Sequence, residues 1–345
     1  MKLYEKIQSG VYTIAEMSAN HAGKLENALE IVRRAKAAGA DCLKIQTYTA
    51  DTLTIDCDAE PFQIKGGLWD GRKLYDLYQD AYTPWEWQPV IKAACEKVGL
   101  DFLSTPFDRT AVDFLEDMGC EAYKIASFEL VDIPLIEYAA SKGKPMIISC
   151  GMGSIEEMQD AVDACRRMEN EQIVLLKCCS EYPADYADMR MATILDMQRR
   201  FKVPVGFSDH SMGSLADVVA VSLGACVIEK HVCLSRKIKN PDSEFSMEME
   251  EFAQMVRDVK NAACIKGDIS YQLTEKEQDS TVFRRSLFAV KDIAKGEALT
   301  KENVRSIRPG DGLAPKYYKE VLDKTAAVAI KKGTPLRWEL LEKKE

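Results

Sequence analysis

Eight short runs of apolar, β-forming residues recur between residues 11 and 265, with longer amphipathic stretches between them. The runs cover 12–16, 42–46, 101–105, 122–125, 146–149, 173–177, 205–208 and 227–230, and helical patterns lie between them at 25–38, 87–98, 155–168 and 214–223. Strands covered on both faces lose the polar alternation of a half-exposed sheet, so such runs predict parallel strands joined by crossover helices. Eight β/α repeats predict an α/β fold of the closed (β/α)8 TIM-barrel class rather than an open doubly wound sheet. No Gly-x-Gly-x-x-Gly follows the first run, which argues against a dinucleotide-binding fold.

Reactive side chains crowd the C-terminal ends of these runs, the face that carries chemistry in such barrels. They include Glu16, Lys44, Gln46, Thr105, Lys124, Ser127, Glu129, Ser149, Lys177, Ser208, His210 and His231. Contact with solvent explains serine and threonine there, but not lysine and glutamate at the ends of apolar runs. The chain has three histidines. His210 closes the run 203–207, His231 closes 225–228, and His21 follows the first run. A single histidine is most simply a hydrogen-bonded structural residue. Imidazoles at the ends of consecutive strands can instead face one divalent metal at the barrel mouth, and this pattern predicts a metal enzyme.

A net charge of −9 argues against nucleic acid or an anionic membrane surface as the main partner. An anionic substrate would then need local cations, which Lys44 and Lys124 provide. Eleven scattered cysteines with no Cys-x-x-Cys fit a reduced, cytoplasmic enzyme better than a disulfide framework or a zinc ribbon. No apolar run approaches transmembrane length and the N-terminus has no apolar signal core, so a cytoplasmic location is expected. Residues 51–83 form an excursion too long for a simple connection, which reads as an insertion near the site. The expected domains are 1–273 for the barrel, 274–283 for a polar linker and 284–345 for a small β-rich domain with turns at Lys295-Gly296 and Lys332-Gly333.

Several motifs in one order carry a resemblance over essentially the whole chain: Ile14-Ala15-Glu16 with Asn20-His21, Lys44-Ile45-Gln46-Thr47, Ser104-Thr105-Pro106-Phe107 and Lys124-Ile125-Ala126-Ser127. Ser149-Cys150-Gly151-Met152, Tyr182-Pro183, Ser208-Asp209-His210, Glu229-Lys230-His231, Pro241-Asp242 and Arg308-Pro309-Gly310 continue it. Together they resemble the sialic acid synthase family. The resemblance implies a TIM barrel followed by an antifreeze-like (SAF) domain, and condensation of phosphoenolpyruvate with an amino sugar to a nine-carbon 2-keto acid with release of phosphate. The segment from Gly67 to Tyr78, with Thr83-Pro84-Trp85-Glu86-Trp87-Gln88, looks like the pseudaminic acid branch. That branch takes 2,4-diacetamido-2,4,6-trideoxy-β-L-altropyranose as acceptor.

By this resemblance Lys44, Thr105, Lys124, Ser127, Ser149 and Ser208 bind phosphoenolpyruvate. His210 and His231 hold the metal, Mn²⁺ before Mg²⁺ or Co²⁺. Glu16 is the general base, with Glu129 and Asp242 as further catalytic carboxylates. Gln46, Ser180, Tyr182 and Arg308 meet the sugar, and Ser180 stands where some N-acetylneuraminate synthases have asparagine. The family's domain-swapped homodimer would bring Arg308, with Arg305 as competitor, to the partner's site. N-acetylneuraminate or legionaminic acid synthesis shares the chemistry and differs in acceptor. An apolar lining around C6 of the sugar, where the pseudaminic acceptor has a methyl group, separates them. Sugar isomerisation fits the histidines but not the two lysines, and a non-catalytic sugar- or ice-binding protein has no need of Glu16, Lys44 or the metal histidines. Trp69, Trp85 and Trp87 are read as packing.

Overall fold

Each predicted run forms a strand, and the eight strands pair in chain order and close through the first and last. In this computed structural model, which describes residues 2–343, they are β1 (Tyr12–Glu16), β2 (Cys42–Thr47), β3 (Asp101–Pro106), β4 (Tyr123–Ile125), β5 (Met146–Ser149), β6 (Ile173–Cys178), β7 (Val205–Asp209) and β8 (Val227–Cys233). The helices that follow them are α1 (Leu25–Ala37), α2 (Gln88–Val98), α3 (Arg109–Asp117), α4 (Ile133–Ala140), α5 (Ile155–Arg167), α6 (Thr193–Phe201), α7 (Leu215–Ser222) and α8 (Met249–Lys266). Local chemistry sets several of their ends. Asp108 caps α3 by accepting from the backbone of Thr110 and Ala111, Ser154 and Glu157 form a capping box on α5, and Gly99 ends α2 at φ +69°.

Alternation along the strands decides where the site lies. One set of positions, Ile14, Cys42, Leu103, Ala122, Ile147, Val174 and Val227, forms a buried cluster inside the barrel, joined by Leu3 and Ile7 of the N-terminal helix Leu3–Gln8. The alternate residues Ala15, Leu43, Ile45, Ile148, Leu175 and Ile228 join the larger core shared with the helices. Burying a side chain of this size stabilises by roughly 1.5–3 kcal/mol. Two residues beyond the interior apolar layer, the same strand faces carry Glu16, Lys44, Thr105, Lys124, Ser149 and Glu229. The barrel interior thus carries a charged and hydroxyl-bearing upper layer on an apolar lower one. Gly206 keeps β7 close to its neighbours: a Cβ there would sit 2.6 Å from both Leu176 Cδ2 and Val227 Cβ.

The excursion after β2 is ordered into short helices Ala50–Leu53 and Leu74–Ala81 around a loop in which Ile64 and Arg72 pair through their backbones. Edge-to-face contacts of Tyr48 with Tyr78 and Phe107 hold it to the barrel end. No helix among the described residues is long and apolar enough to cross a membrane.

The chain divides into two compact units, Met1–Gly267 and Asp268–Glu345. In the second, β9 (Ser286–Ala289) pairs antiparallel with β10 (Val304–Ile307), and β11 (Lys324–Ala326) with β12 (Leu341–Lys343). Leu287, Val304, Val321, Ala326 and Leu336 form its core, and Gly296 (φ +79°) and Gly333 (φ +88°) make the two turns read from the sequence. Residues 274–283, expected as linker, carry a capped helix Glu275–Asp279 and a 3₁₀ turn.

Candidate active site

A small chamber of about 60 Å³ lies at the C-terminal ends of the barrel strands. Lys44 from β2 and Lys124 from β4 enter it, 3% and 2% exposed. Lys124 Nζ donates to Ser149 Oγ at 2.6 Å, and Lys44 Nζ to Thr105 Oγ1 at 3.3 Å. Ser208 Oγ donates to Glu229 Oε1 at 3.3 Å. Opposite them, the Gly151 N–H donates to Ser127 Oγ at 3.1 Å. Gly151 is required by this close approach, since a Cβ there would fall on the Ser180 hydroxyl and 2.8 Å from Ser127 Oγ. Two ammonium groups lined by hydroxyls suit a small, highly charged anion.

Two carboxylates share these lysines. Lys44 Nζ lies 2.6 Å from Glu16 Oε2, out of hydrogen-bond alignment, and 3.5 Å from Glu229 Oε1, while Lys124 Nζ is 4.0 Å from Glu229 Oε1. Burial pushes the Glu16 carboxyl up to about 7, against the pull of Lys44 and with the push of Glu229. Burial acts upward on Glu229 too, but Lys124, Lys44 and His210 outweigh it and hold that carboxyl below its usual range. Burial lowers Lys124; for Lys44 the two glutamates overcome burial and raise it. The pair is thus split into an ionised Glu229 and a Glu16 poised to exchange a proton near neutrality, the pattern that marks acid–base roles. Gln46 orients Glu16 by donating to its Oε1 at 3.1 Å and to Ser18 Oγ at 3.0 Å.

His210 and His231 face each other with ring centroids 5.4 Å apart. His210 Nδ1 is 2.9 Å from the Cys179 carbonyl oxygen, which directs its other nitrogen elsewhere. His231 Nδ1 is buried with no hydrogen-bond partner among the described residues. Burial pushes His231 well below its usual value, keeping the ring neutral with one nitrogen lone pair available. For His210 burial acts downward, but the Cys178 sulfur and the Cys179 carbonyl outweigh it and raise the imidazole. In turn burial acts upward on Cys178, and the neighbouring His210 lowers the thiol to about 7. An orphaned nitrogen beside a second imidazole fits a divalent cation. No cluster of three or more His, Cys, Asp or Glu side chains completes a shell among the described residues. Oxygens of water or substrate would supply the other ligands.

The chamber adjoins a larger cavity of about 380 Å³, with Gln46, Phe128, Tyr182 and His231 lining both. Leu53, Ile64, Trp69, Leu74, Leu77 and Tyr78 of the excursion form one side of it. Its polar groups are few. Burial raises Glu129 to about 7 and leaves Oε2 without a partner among the described residues. Asp242, raised by burial, accepts from the Ala19 N–H at 3.1 Å.

Among the first unit's predicted site residues, all but Glu16 and Ser180 line one of the two cavities; Glu16 is fully buried behind the lining residues Lys44 and Gln46, and Ser180 packs beside Gly151. Arg308 is an exposed residue of the second unit. Two readings change. His21 lines neither cavity; it ends the 3₁₀ turn Ser18–His21 and packs edge-on against Trp87, because the chain turns away from the strand at Ser18. Lys177 is absent from both linings, and its ammonium donates to the Cys178 carbonyl. The tryptophans divide as well. Trp85 packs on Phe114 and Trp87 on His21, but Trp69 lines the outer cavity, 5.7 Å from the Tyr182 ring, and donates to the Pro241 carbonyl at 3.1 Å. Glu229 was visible only as part of a motif, and its place two residues before His231 on one strand was the signal.

The sequence model of the NeuB family matches residues 31–271, and that of the SAF domain matches 284–342. Over 95% of both chains the protein is 48% identical to the pseudaminic acid synthase of Campylobacter jejuni. It is 43% identical to the pseudaminic acid synthase of Helicobacter pylori, over 96% of this chain and 97% of that one. Among solved structures, N-acetylneuraminic acid (sialic acid) synthetase from Leptospira borgpetersenii superposes with a TM-score of 0.71 at 30% identity, over 79% of this chain and 90% of that one. Barrel and sequence agree: the chain belongs to the NeuB family, the sialic acid synthases, and carries a C-terminal SAF domain.

Proposed function

We propose that the protein is a pseudaminic acid synthase. It condenses phosphoenolpyruvate with 2,4-diacetamido-2,4,6-trideoxy-β-L-altropyranose and water, giving pseudaminic acid and phosphate. The observation that carries the reading is the joined pair of cavities, a small cationic one opening beside a larger, mostly apolar one. The first suits phosphoenolpyruvate, whose carboxylate and phosphate meet Lys44, Lys124 and the hydroxyls of Thr105, Ser127, Ser149 and Ser208. The second suits a sugar with a methyl group at C6, because Leu53, Leu74 and Leu77 offer no partner for a hydroxyl there. The 48% and 43% identity to pseudaminic acid synthases supports the same acceptor.

In the reaction C3 of the enol phosphate attacks the aldehyde carbon of the open-chain sugar, and the aldehyde oxygen takes up a proton. Water adds at C2, with Glu16 accepting its proton. The tetrahedral intermediate then expels phosphate by breaking the C–O bond, leaving the ketone. Lys44 and Lys124 hold the anion in place throughout, and a dry, preorganised chamber makes their charges count for more than in water. Glu129 and Asp242 bind sugar hydroxyls and move protons during ring opening, and Gln46, Ser180 and Tyr182 orient the acceptor. His210 and His231 would hold a divalent metal, Mn²⁺ suiting two imidazoles better than Mg²⁺. Bound there, it supplies Lewis acidity toward the aldehyde oxygen. The active form is a cytoplasmic domain-swapped homodimer in which Arg308 completes the partner's sugar site.

Phosphate release with Mn²⁺ and phosphoenolpyruvate tests the reading, comparing the altrose acceptor, its D-manno-type isomer and N-acetylmannosamine. Turnover favouring the altrose sugar is expected. Preference for N-acetylmannosamine overturns the acceptor, and no release with any sugar overturns the synthase.

A further inference from the structure

Alternation along β7 and β8 places Ser208, His210, Glu229 and His231 at the inner chamber, which leaves Asp209 and Lys230 on the opposite face, toward α7. These two residues are paired in the strand register, each immediately before its histidine. Their side chains form an ion pair, and Lys230 Nζ also lies 3.7 Å from Asp217 Oδ2 on α7. All three residues are 1% exposed or less.

Burying one lysine and two aspartates is unfavourable unless the charges do something apolar side chains cannot. Here Asp209 and Lys230 hold backbone, and Asp217 lies beside Lys230 from α7. Asp209 accepts from Ser211 N at 2.8 Å and Ser211 Oγ at 2.9 Å, and Lys230 donates to the Gly213 carbonyl at 3.0 Å. The chain on both sides of His210 is thereby tied to the residue preceding His231. Among the described residues neither histidine has a side-chain carboxylate partner of its own, and the ring of His231 has an unpartnered Nδ1.

We infer that Asp209, Lys230 and Asp217 are a positioning set outside the barrel wall that fixes the spacing of His210 and His231, and so sets the affinity of that site for a divalent cation. The inference rests on the reading of those histidines as metal ligands. Removing the set lets each imidazole move independently, while the phosphoenolpyruvate groups on β2 to β5, Lys44, Thr105, Lys124 and Ser149, keep their geometry, and only Ser208, beside Asp209 on β7, adjoins the change.

Mn²⁺ binding to the full-length protein, followed by loss of the free-ion electron paramagnetic resonance signal, tests it. The double variant Asp209→Asn/Lys230→Met leaves neither member of the pair bare. It should bind Mn²⁺ about 10- to 100-fold more weakly than wild type, with metal-free phosphoenolpyruvate affinity changed by less than about twofold. Asp217→Asn should weaken Mn²⁺ in the same direction, and Lys230→Arg, which keeps the charge, should retain most of the affinity. Unchanged Mn²⁺ affinity in the double variant overturns the inference, as does a parallel loss of phosphoenolpyruvate binding, which would signal general misfolding. His210→Ala and His231→Ala serve as separate controls. If they bind Mn²⁺ like wild type, the ligand reading itself fails and the positioning role with it.

Discussion

The inner chamber and the outer cavity share a wall yet are made of different material. Two lysines, hydroxyls and Glu229 build the first, most of them carried on barrel strands held by parallel ladders. Aromatic and aliphatic side chains build much of the second, half a dozen of them from one excursion between β2 and β3. The contrast separates two tasks. Charge must be held rigidly to act on a developing charge, and strand ends do that best. Choice among similar sugars needs shape, which loops supply.

The sharpest way to break this division is at its charged end. Lys44→Met strands Glu16 and Glu229 in a buried site, and removing one partner of such a pair costs about 3–5 kcal/mol of stability. Calorimetry should show that loss together with lost phosphoenolpyruvate binding; a normal unfolding temperature would remove the case for a charge-coupled chamber. Glu16→Gln should keep the fold and lower kcat by about 10²–10⁴-fold. Because burial puts Glu16 near 7 and a base must be unprotonated, wild-type kcat/KM should rise with pH through that value. The variant's profile should lose that limb. Chelation of the metal should abolish turnover, and added Mn²⁺ should restore it.

Smaller effects belong to the outer cavity. Glu129 is raised from 4.5 to about 7 by burial, so its folded form favours the proton. Its contribution to stability is present below about 4.5 and lost as pH rises through about 7. Thermal unfolding of Glu129→Gln should lack that decline. Trp69→Ala removes one wall and an aromatic contact worth about 0.5–1.5 kcal/mol, a roughly 2- to 10-fold rise in acceptor KM. Its phosphoenolpyruvate KM should stay put. A matching rise in both would show that the two cavities are not separable.

The barrel was legible because strands buried on both faces leave unbroken apolar runs, and Glu16, Lys44 and Lys124 stood out as charges ending them. What spacing does not encode is direction after a strand ends. His21 and His231 both follow strand-like runs, but only β8 continues straight through its histidine, while Ser18 takes a positive φ of 44° and turns His21 away. The three tryptophans were equally opaque, since a ring that packs and a ring that lines a cavity need the same hydrophobicity. Asp217 was hidden for the opposite reason: on a helix it looks like any solvated acid, and only tertiary packing reveals it as buried.

The excursion lies wholly between β2 and β3 and contributes none of the charged groups of the inner chamber. Mutations within 51–83 can therefore accumulate without disturbing the reaction, so acceptor preference is free to drift while catalysis is inherited intact. Exchanging this stretch between two such barrels changes one wall of the outer cavity and leaves the charged chamber as it was.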